Sequence, residues 1–408
     1  MNSITLQHRS DLFLLLLYLT ICAVILLRVS VEATGYISPD SEYYMEAATS
    51  LKNGNGLYIN DLYNLHATNT PSVRIPFTAW PIGYPVLIYL MSKAIHLDVF
   101  WAGKAVNLLF IGLSFLLLRQ INRQSSYIIA SIYGAFTILE VSSYTWSESI
   151  FMFGLLCFIY AAENIYSAPN KLKNFLLLLC ATLFMFLIRY IGIVAVGAIG
   201  LAVLFFWRSK EYKTSLRLLY VLLVACLLIG IYLFRNYLLI GHPTGIPRLT
   251  KEMEGPGEIA MMVLKGLGGE LFLIRRYYFN GLPDWLTLTA AGVHLLVLYL
   301  IYSNLRKHKE IWPEIKKNYF SHLSLIMAGL YLFLLIVLRS ISQFDPTNYR
   351  LLSPFTFLVL IGAVHYVAAL PDLYPNIRKA KHYLLLLFVF SLLLNLPKAF
   401  IVSKLLNL

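Results

Sequence analysis

Charged residues are scarce in this chain. They make up 13% of its 408 residues, whereas hydrophobic residues make up 59%. A soluble domain of ordinary composition is about one quarter charged, so the composition argues against a soluble globular protein. Several apolar runs reach the roughly 20 residues that a helix needs to cross a bilayer, without the alternation typical of transmembrane β-strands. The composition therefore predicts an all-α polytopic membrane protein.

Cysteines and long polar segments are also rare in this chain. The four cysteines lie inside apolar runs, with neither a C-x-x-C pair nor zinc-ligand spacing, which indicates packing residues rather than a disulfide or metal framework. No stretch is long and polar enough to form the cytoplasmic domain, with its glycine-rich phosphate site, that a soluble nucleotide-sugar transferase needs. Most of the lysines and arginines behind the net charge of +13 lie in short loops, as in cytoplasmic loops that orient membrane proteins. Nucleic acid is therefore not an expected partner.

Apolar runs and basic loops together predict about eleven crossings with a cytoplasmic N-terminus. The first run favours an uncleaved span, with a removed signal peptide as the alternative. The run 174–206 lies between two basic loops and must cross twice, turning near Arg189, Tyr190 and Gly192. Pro81 to Leu97 then cannot complete a crossing, so we expect a short re-entrant or surface helix there. The apolar runs cover about 12–29, 100–118, 127–145, 147–165, 174–206, 218–240, 286–303, 321–338, 351–370 and 383–402.

This topology places three pieces of a single transmembrane domain, 1–408, on the extracytoplasmic side: 31–99, 241–285 and 339–350. The first piece is the largest, and its opening carries Asp40 and Glu42. The stretch from Asp40 to Leu51 has helical composition, with Asp40 or Ser41 able to cap its first turn. One interpretation is a capped surface helix with tyrosines in the interfacial aromatic belt. The other makes Asp40 a general base that activates an acceptor hydroxyl at the membrane boundary.

Polar side chains recur at the outer ends of the predicted spans. Glu148 lies at an outer turn, where it could reach water or support a site. Cations on the outer side run against the positive-inside preference, and a phosphate-bearing ligand would account for them, because arginine can grip phosphate oxygens bidentately. The candidates for binding such a ligand at the outer side are Arg189, Tyr190, Arg235, Asn236, His242, Arg275, Arg276 and Arg350. Further aromatic and polar candidates in the outer pieces are Tyr43, Tyr44, Trp80, Tyr84, Asn348 and Tyr349.

The order and spacing of several short motifs, over roughly residues 10–360, resemble the GT-C glycosyltransferases that depend on polyprenyl-phosphate sugars. That group includes protein O-mannosyltransferases and the aminoarabinose transferase of lipid A. A "D-x-x-x-Y-x-x-x-A" element is matched by Asp40, Tyr44 and Ala48, and "WPIGYP" is similar to the family's "PPGYP", with Ile82 in place of the second proline. The remaining matches are Ser147-Glu148, the "R-N-Y-x-x-x-G-x-P" element at Arg235 to Pro243, and Arg350 with Pro354.

The resemblance implies a GT-C fold and an inverting transfer of a sugar from a polyprenyl phosphate to a hydroxyl of an envelope lipid or glycan. By matched position Asp40 is the base. Glu42 is not at the family position, and we take it, with Glu148, as a supporting acidic residue. A lipid tail would keep the donor in the bilayer of the plasma (inner) membrane, so the chemistry would lie where the first span emerges on the extracytoplasmic side. Cationic side chains would stabilise the departing phosphate as its charge grows.

Neither a metal nor another cofactor is expected, although Asp40 with Glu148 could form a weak cation site. The alternative function is a flippase or transporter of lipid-linked sugars or anionic lipids, in which outer arginines bind a headgroup without catalysis. A transporter favours charges midway along spans, whereas the polar groups here lie at outer span ends. A ligase or polymerase of envelope polymers, using a polyprenyl diphosphate, is a third possibility.

Overall fold

The computed structural model describes residues 3–60, 74–244, 254–274, 285–307, 317–341, 344–372, 374–397, 400–401 and 403–404. These residues are mostly α-helical, as predicted. The α-helices are α1 (Ser3–Val31), α2 (Pro39–Lys52), α3 (Gly83–Ile95), α4 (Val99–Ile121), α5 (Ser126–Ala130), α6 (Phe136–Ser143), α7 (Glu148–Ser167), α8 (Leu172–Ile188), α9 (Val194–Arg208), α10 (Tyr212–Ile240), α11 (Pro256–Glu270), α12 (Trp285–Leu305), α13 (Tyr319–Ile341), α14 (Tyr349–Ala368) and α15 (Pro375–Leu394). Short 3₁₀ helices cover Ser131–Gly134 and Tyr190–Ile193.

Eight helices in the described part of the chain are long and apolar enough to cross a membrane. They are His8–Val31, Val99–Ile121, Glu148–Ser167, Tyr190–Arg208, Tyr212–Ile240, Leu288–Leu305, Tyr319–Ile341 and Tyr349–Ala368. A ninth span is possible if Ser126–Gly134 and Phe136–Ser143, which are bent by 68°, form one broken crossing. A multi-pass membrane protein is thus confirmed, whereas the count of about eleven spans stays a prediction.

The long apolar run at 174–206 is broken where its length and flanking charges require a turn. Helix α8 ends at Ile188, Arg189 is extended, and a 3₁₀ turn leads into α9. Gly192 makes this break possible, because a Cβ there would lie 2.4 Å from the backbone carbon of Met185. The close approach of two backbones explains why glycine is needed at this turn.

Two other segments differ from the simple pattern of apolar runs. Helix α3 has 13 residues, which are too few to span a bilayer. This length agrees with a segment that does not complete a crossing, and its placement as a re-entrant or surface helix stays a prediction. Helix α15 begins at Pro375 rather than near residue 383, because a proline at the first helical position lets the helix start within the basic segment. Its first turns therefore carry Arg378, Lys379 and Lys381.

The chain divides into two compact units. One comprises residues 1–36, 111–143 and 252–408, and the other comprises 37–110 and 144–251. In the first unit, α13 packs against α14 and α12 against α15. In the second unit, α7 packs on α8, α9 on α10 and α2 on α3.

A small antiparallel hairpin follows α2 in the second unit. Its strands are β1 (Tyr58–Asn60) and β2 (Arg74–Pro76), with Ile59 opposite Ile75. The backbone N–H of Asn60 donates to Glu46 Oε1 of α2 at 2.9 Å. The hairpin is thereby tied to the helix that carries Asp40.

Candidate functional site

Helix α2 begins one residue earlier than the sequence suggested, and its cap differs. Ser38 is the N-cap: its Oγ accepts from the Ser41 N–H at 3.4 Å, and its own N–H donates to Ser41 Oγ at 3.1 Å. Pro39 occupies the first helical position, where its fixed φ and missing N–H cost nothing. The expectation that Asp40 or Ser41 is the cap is wrong: Ser38 is the N-cap, and Ser41, at the third helical position, completes the reciprocal box. Asp40 is the second helical residue, in the first turn, where the helix dipole favours a carboxylate.

The segment 144–147, between α6 and α7, holds α2 on both sides of Asp40. Trp146 Nε1 donates to Ser38 Oγ at 2.6 Å. Six residues further along the chain, in α2, the Tyr44 hydroxyl lies 3.4 Å from Ser147 Oγ. The position of Asp40 therefore depends on residues more than 100 positions away in the sequence.

Four of the predicted acceptor or sugar residues come together in one aromatic patch with Phe77. The Tyr43 and Trp80 rings are stacked, with centroids 5.5 Å apart and planes 23° apart, and Trp80 also stacks on Phe77 at 6.0 Å. Tyr44 meets Tyr84 edge to face at 5.0 Å. Tyr44 and Tyr84 are buried, whereas Tyr43 and Trp80 are partly exposed. The accessible part of the aromatic patch is therefore the Tyr43–Trp80 pair.

The buried Tyr84 and the partly exposed Tyr43 differ in their polar environment. The buried Tyr84 hydroxyl donates to Asn107 Oδ1 at 3.1 Å, and burial raises the pKa of Tyr84 well above its usual value. Partial burial, followed by the charges of Glu42, Glu46 and Asp40, raises the pKa of Tyr43. Both phenols remain protonated at neutral pH, and Tyr43 presents a neutral hydroxyl beside the carboxylates of α2.

Glu148 and Arg189 form an ion pair with each other. The Glu148 side chain is completely buried at the start of α7, and that of Arg189 is 15% exposed. Glu148 lies in the first turn of α7, where the dipole stabilises a negative charge. The sequence placed these residues in two different groups, and the structure joins them. A guanidinium already neutralised by a carboxylate is a weaker anion site than an isolated one.

A second polar network joins the break between α8 and α9 to the end of α10. Tyr190 donates its hydroxyl to the Thr78 carbonyl at 2.7 Å, and Asn236 Nδ2 donates to the Tyr190 oxygen at 3.0 Å and the Pro243 carbonyl at 3.1 Å. Arg235 Nη1 donates to Asn236 Oδ1 at 3.1 Å. Asn236 is fully buried, so its amide organises the network and is not presented to a ligand.

The accessible basic side chains at this end of α10 are Arg235 and His242. Both side chains are exposed. Gly241 ends α10 in the left-handed conformation, with φ of 76°, as a glycine C-cap does. The "R-N-Y-x-x-x-G-x-P" element thus forms a helix end with a buried amide and exposed basic side chains.

The remaining predicted residues lie in the first unit or outside the described residues. Asn348 is the N-cap of α14 and accepts from the Leu351 N–H at 3.1 Å. Tyr349 and Arg350 follow in the first turn of that helix, with the Tyr349 ring 6.5 Å from that of Phe136. Arg275 and Arg276 lie outside the described residues. The structure therefore brings together Asp40, the aromatic patch, Glu148, Arg189 and the Arg235–His242 end within the second unit.

Two features of this unit were missed by the sequence analysis. Lys104 in α4 is 1% exposed, with its Nζ 5.3 Å from the Phe100 ring centroid. A lysine inside the apolar run 100–118 is itself an unusual signal and could have been singled out. The contact of Trp146 with Ser38 carries no local signal, because the partners are distant in sequence.

Among the described residues, no group of three or more His, Cys, Asp or Glu side chains could hold a metal ion. The Glu148 carboxylate, the proposed partner of Asp40 in a weak cation site, pairs with Arg189. The second unit offers a carboxylate-bearing helix, an accessible aromatic pair and exposed basic side chains.

The chain is similar to known proteins at the level of its three-dimensional structure. No protein-family model matches the sequence, and no curated protein matches it. Two crystal structures of ArnT from Cupriavidus metallidurans match the fold, one in the apo state with a TM-score of 0.51 and one bound to undecaprenyl phosphate with a TM-score of 0.52. Each is 14% identical, and the match covers 88% of this chain but 60% of ArnT.

The chain thus spans about 60% of the length of the ArnT structures that it resembles. At this level of identity the similarity concerns the fold. It agrees with the resemblance drawn from the motifs, and the chain is a multi-pass membrane protein with the GT-C fold.

Proposed function

We propose that the protein is an inverting glycosyltransferase. It would move a sugar from a polyprenyl phosphate to a hydroxyl of an envelope lipid or glycan. The proposal rests on α2, the first helix after the first span, which carries Asp40 beside the accessible Tyr43–Trp80 pair. One ArnT structure of the same fold was determined with undecaprenyl phosphate bound, which supports a polyprenyl phosphate as the lipid partner.

In the proposed reaction, Asp40 takes the proton of the acceptor hydroxyl. The acceptor oxygen forms a bond to the anomeric carbon while the bond from that carbon to the phosphate oxygen breaks. The polyprenyl phosphate leaves with the electron pair of the broken bond, and the anomeric configuration inverts.

The leaving phosphate gains negative charge during the transfer and needs cationic neighbours. Arg235 is the first candidate in the second unit, since its guanidinium is exposed and its one described partner is the neutral amide of Asn236. His242 lies close by in sequence and is also exposed. Arg189 would have to give up part of its interaction with Glu148, so we assign it a secondary role. Arg275, Arg276 and Arg350 remain candidates on sequence grounds.

The Tyr43–Trp80 pair suits the donor or acceptor sugar. A sugar ring has an apolar C–H face, and ligand sites combine aromatic walls with a few placed polar groups. The pair offers such a wall, and the carboxylates of α2 lie on the same helix. Glu42 is exposed two residues from Asp40 and would accept hydrogen bonds from sugar hydroxyls.

We place the reaction at the extracytoplasmic face of the plasma (inner) membrane, with the N-terminus in the cytoplasm. The reason is the distribution of basic loops, which orients the first span. Cysteine-labelling of single-cysteine variants, at Glu42 for the outer face and Arg208 for the inner face, tests this orientation. Labelling of both from the same side would contradict it.

The decisive test is sugar transfer in reconstituted membranes. Undecaprenyl phosphates carrying radiolabelled glucose, mannose or 4-amino-4-deoxyarabinose serve as donors, with extracted envelope lipids and glycans as acceptors. Asp40→Asn should lower the turnover at least about 100-fold, the usual contribution of a positioned base, while undecaprenyl phosphate still binds. Glu211→Gln is the control, because Glu211 is an exposed carboxylate at the start of α10 that makes no side-chain cap hydrogen bond and has no role in the proposed site, and it should retain the activity of wild type.

The other outcomes are equally informative. Equal turnover of Asp40→Asn and wild type would remove Asp40 from the mechanism. Tight binding of undecaprenyl phosphate without transfer from any donor, together with its movement between leaflets, would favour the flippase. Retained turnover in EDTA would agree with the expectation that no metal is required, and a loss restored by a divalent cation would contradict it.

A further inference from the structure

The Ser38 hydroxyl is the meeting point of the contacts that begin α2. Its oxygen accepts from the indole N–H of Trp146 at 2.6 Å and from the Ser41 N–H at 3.4 Å. It also lies 3.1 Å from Ser41 Oγ. A serine hydroxyl has two acceptor positions and one donor, so these three contacts use its whole capacity.

Trp146 is itself rigidly held. Its side chain is 5% exposed, and its ring stacks on Tyr144 with centroids 3.9 Å apart and planes 8° apart. The Tyr144 carbonyl accepts from Asn107 Nδ2 of α4 at 2.7 Å. The indole N–H is therefore a donor with a fixed position, because its ring stacks on Tyr144 and the Tyr144 carbonyl is bonded to α4.

The second contact of the same segment with α2 comes six residues later. The Tyr44 hydroxyl and Ser147 Oγ are 3.4 Å apart, and Tyr44 is 1% exposed. Asp40 lies between the two contacts, two residues after Ser38 and four before Tyr44. A helix held at two points on either side of a residue cannot rotate that residue about the helix axis.

We propose that Trp146, through Ser38, is a positioning residue for Asp40. The inference rests on the proposed function, because it assigns a means of orienting the base of that reaction. Its physical reason is that a catalytic group must be held within a fraction of an ångström of its productive geometry, and that small misplacements cost large factors in rate. Ser38 is the N-cap of α2 and is held by Trp146. Asp40 therefore lies in the first turn, and its side chain is not needed as the cap.

The variants separate this role from simple stability. Trp146→Phe keeps an aromatic ring for stacking on Tyr144 and removes the N–H donor. Ser38→Ala removes the acceptor, and Ser38→Thr restores a hydroxyl at the same position. Trp207→Phe is the matched control, because Trp207 at the end of α9 is 59% exposed.

In the transfer assay with undecaprenyl-phosphate sugars, we expect Trp146→Phe and Ser38→Ala to lower kcat about tenfold, the equivalent of one hydrogen bond. KM for the donor and Kd for undecaprenyl phosphate should stay within about twofold of wild type. Ser38→Thr and Trp207→Phe should behave like wild type. In the Asp40→Asn background, Trp146→Phe should cause no further loss, because the residue that it orients is gone.

Three results would overturn the inference. They are an unchanged kcat in Trp146→Phe, a change in KM rather than kcat, and the same fold loss with and without Asp40. If Asp40→Asn inactivates while Trp146→Phe does not, the positioning role fails and the base survives. If Asp40→Asn is fully active, the proposed base itself fails.

Hydrogen exchange gives a readout that needs no substrate. The peptide covering residues 38–44 should exchange faster in Trp146→Phe and Ser38→Ala than in wild type or Ser38→Thr. Should Trp146→Phe fail to fold, the Ser38 pair decides in both assays. Wild-type exchange in Ser38→Ala would overturn the inference.

Discussion

Replacing Glu148 with Gln should destabilise the protein strongly. Glu148 is fully buried, and its partner Arg189 is 15% exposed. The substitution keeps the shape of the side chain but removes the charge that pairs with the largely buried guanidinium of Arg189. Breaking a buried pair from one side costs about 3–5 kcal/mol, and we expect a loss of that size.

A second ion pair provides the reference. Arg119 binds Asp11 through two hydrogen bonds of 2.6 and 2.7 Å, with side chains 38% and 26% exposed. Its geometry is good, but solvent-exposed pairs contribute only about 0–1 kcal/mol. Asp11→Asn should therefore cost about 1 kcal/mol or less, so that the two substitutions differ by at least about 2 kcal/mol.

The free energy of unfolding can be compared in mixed micelles of a mild detergent and SDS, followed by helical circular dichroism and tryptophan fluorescence. Glu148→Met with Arg189→Met in one chain should recover much of the loss, because apolar side chains of similar volume can replace a buried ion pair at little cost. Equal destabilisation by Glu148→Gln and Asp11→Asn would refute the reasoning. So would a double variant as unstable as the sum of the two single ones.

Two further predictions concern the same unit. Gly192→Ala should lower the free energy of unfolding by about 1–3 kcal/mol through overpacking, because its Cβ would meet backbone atoms of Met185 at 2.4 and 2.5 Å. Gly197→Ala is the control and should be neutral or slightly stabilising, because a Cβ there would have nothing within 4 Å. Thermal unfolding of both variants tests this difference. The pKa of Tyr43 is raised above the ordinary value of 10.0 by burial and by neighbouring carboxylates. The stabilising contribution of its neutral form is therefore full below about pH 10 and is lost as the pH rises through the raised pKa, and the 295 nm difference spectrum of wild type minus Tyr43→Phe should show a phenol that ionises late.

The spans could be predicted because their signal is local. Uninterrupted apolar stretches such as 218–240 need no knowledge of their neighbours, and α10 overlaps that stretch. The break at Arg189 was also predictable, since the run 174–206 is too long for one crossing and starts and ends beside basic loops. The overall number of crossings is harder to predict, because α3 is apolar but short, and the bent pair α5–α6 fits either a broken span or a re-entrant segment.

The site was less accessible to sequence reasoning, because its contacts are distant. Asp40 seemed a natural cap, since aspartate is favoured there. The choice of Ser38 depends on Pro39 and on an indole 108 residues away. Glu148 and Arg189 were likewise interpreted separately in the sequence, one as a supporting carboxylate and the other as a phosphate-binding cation. Their ion pair depends on the packing of distant segments, which no local sequence pattern indicates.

The pairing of Glu148 with Arg189 changes how the charges of the site can be assigned. A donor phosphate that competed for Arg189 would weaken the ion pair of the buried Glu148, a cost that the binding of the phosphate would have to offset. An exposed Arg235 requires no such exchange, since its described partner is an amide oxygen. The phosphate should therefore bind first through Arg235, so Arg235→Gln should weaken the binding of undecaprenyl phosphate more than Arg189→Gln does. In Arg189→Gln, a fall in stability should dominate over any loss of affinity.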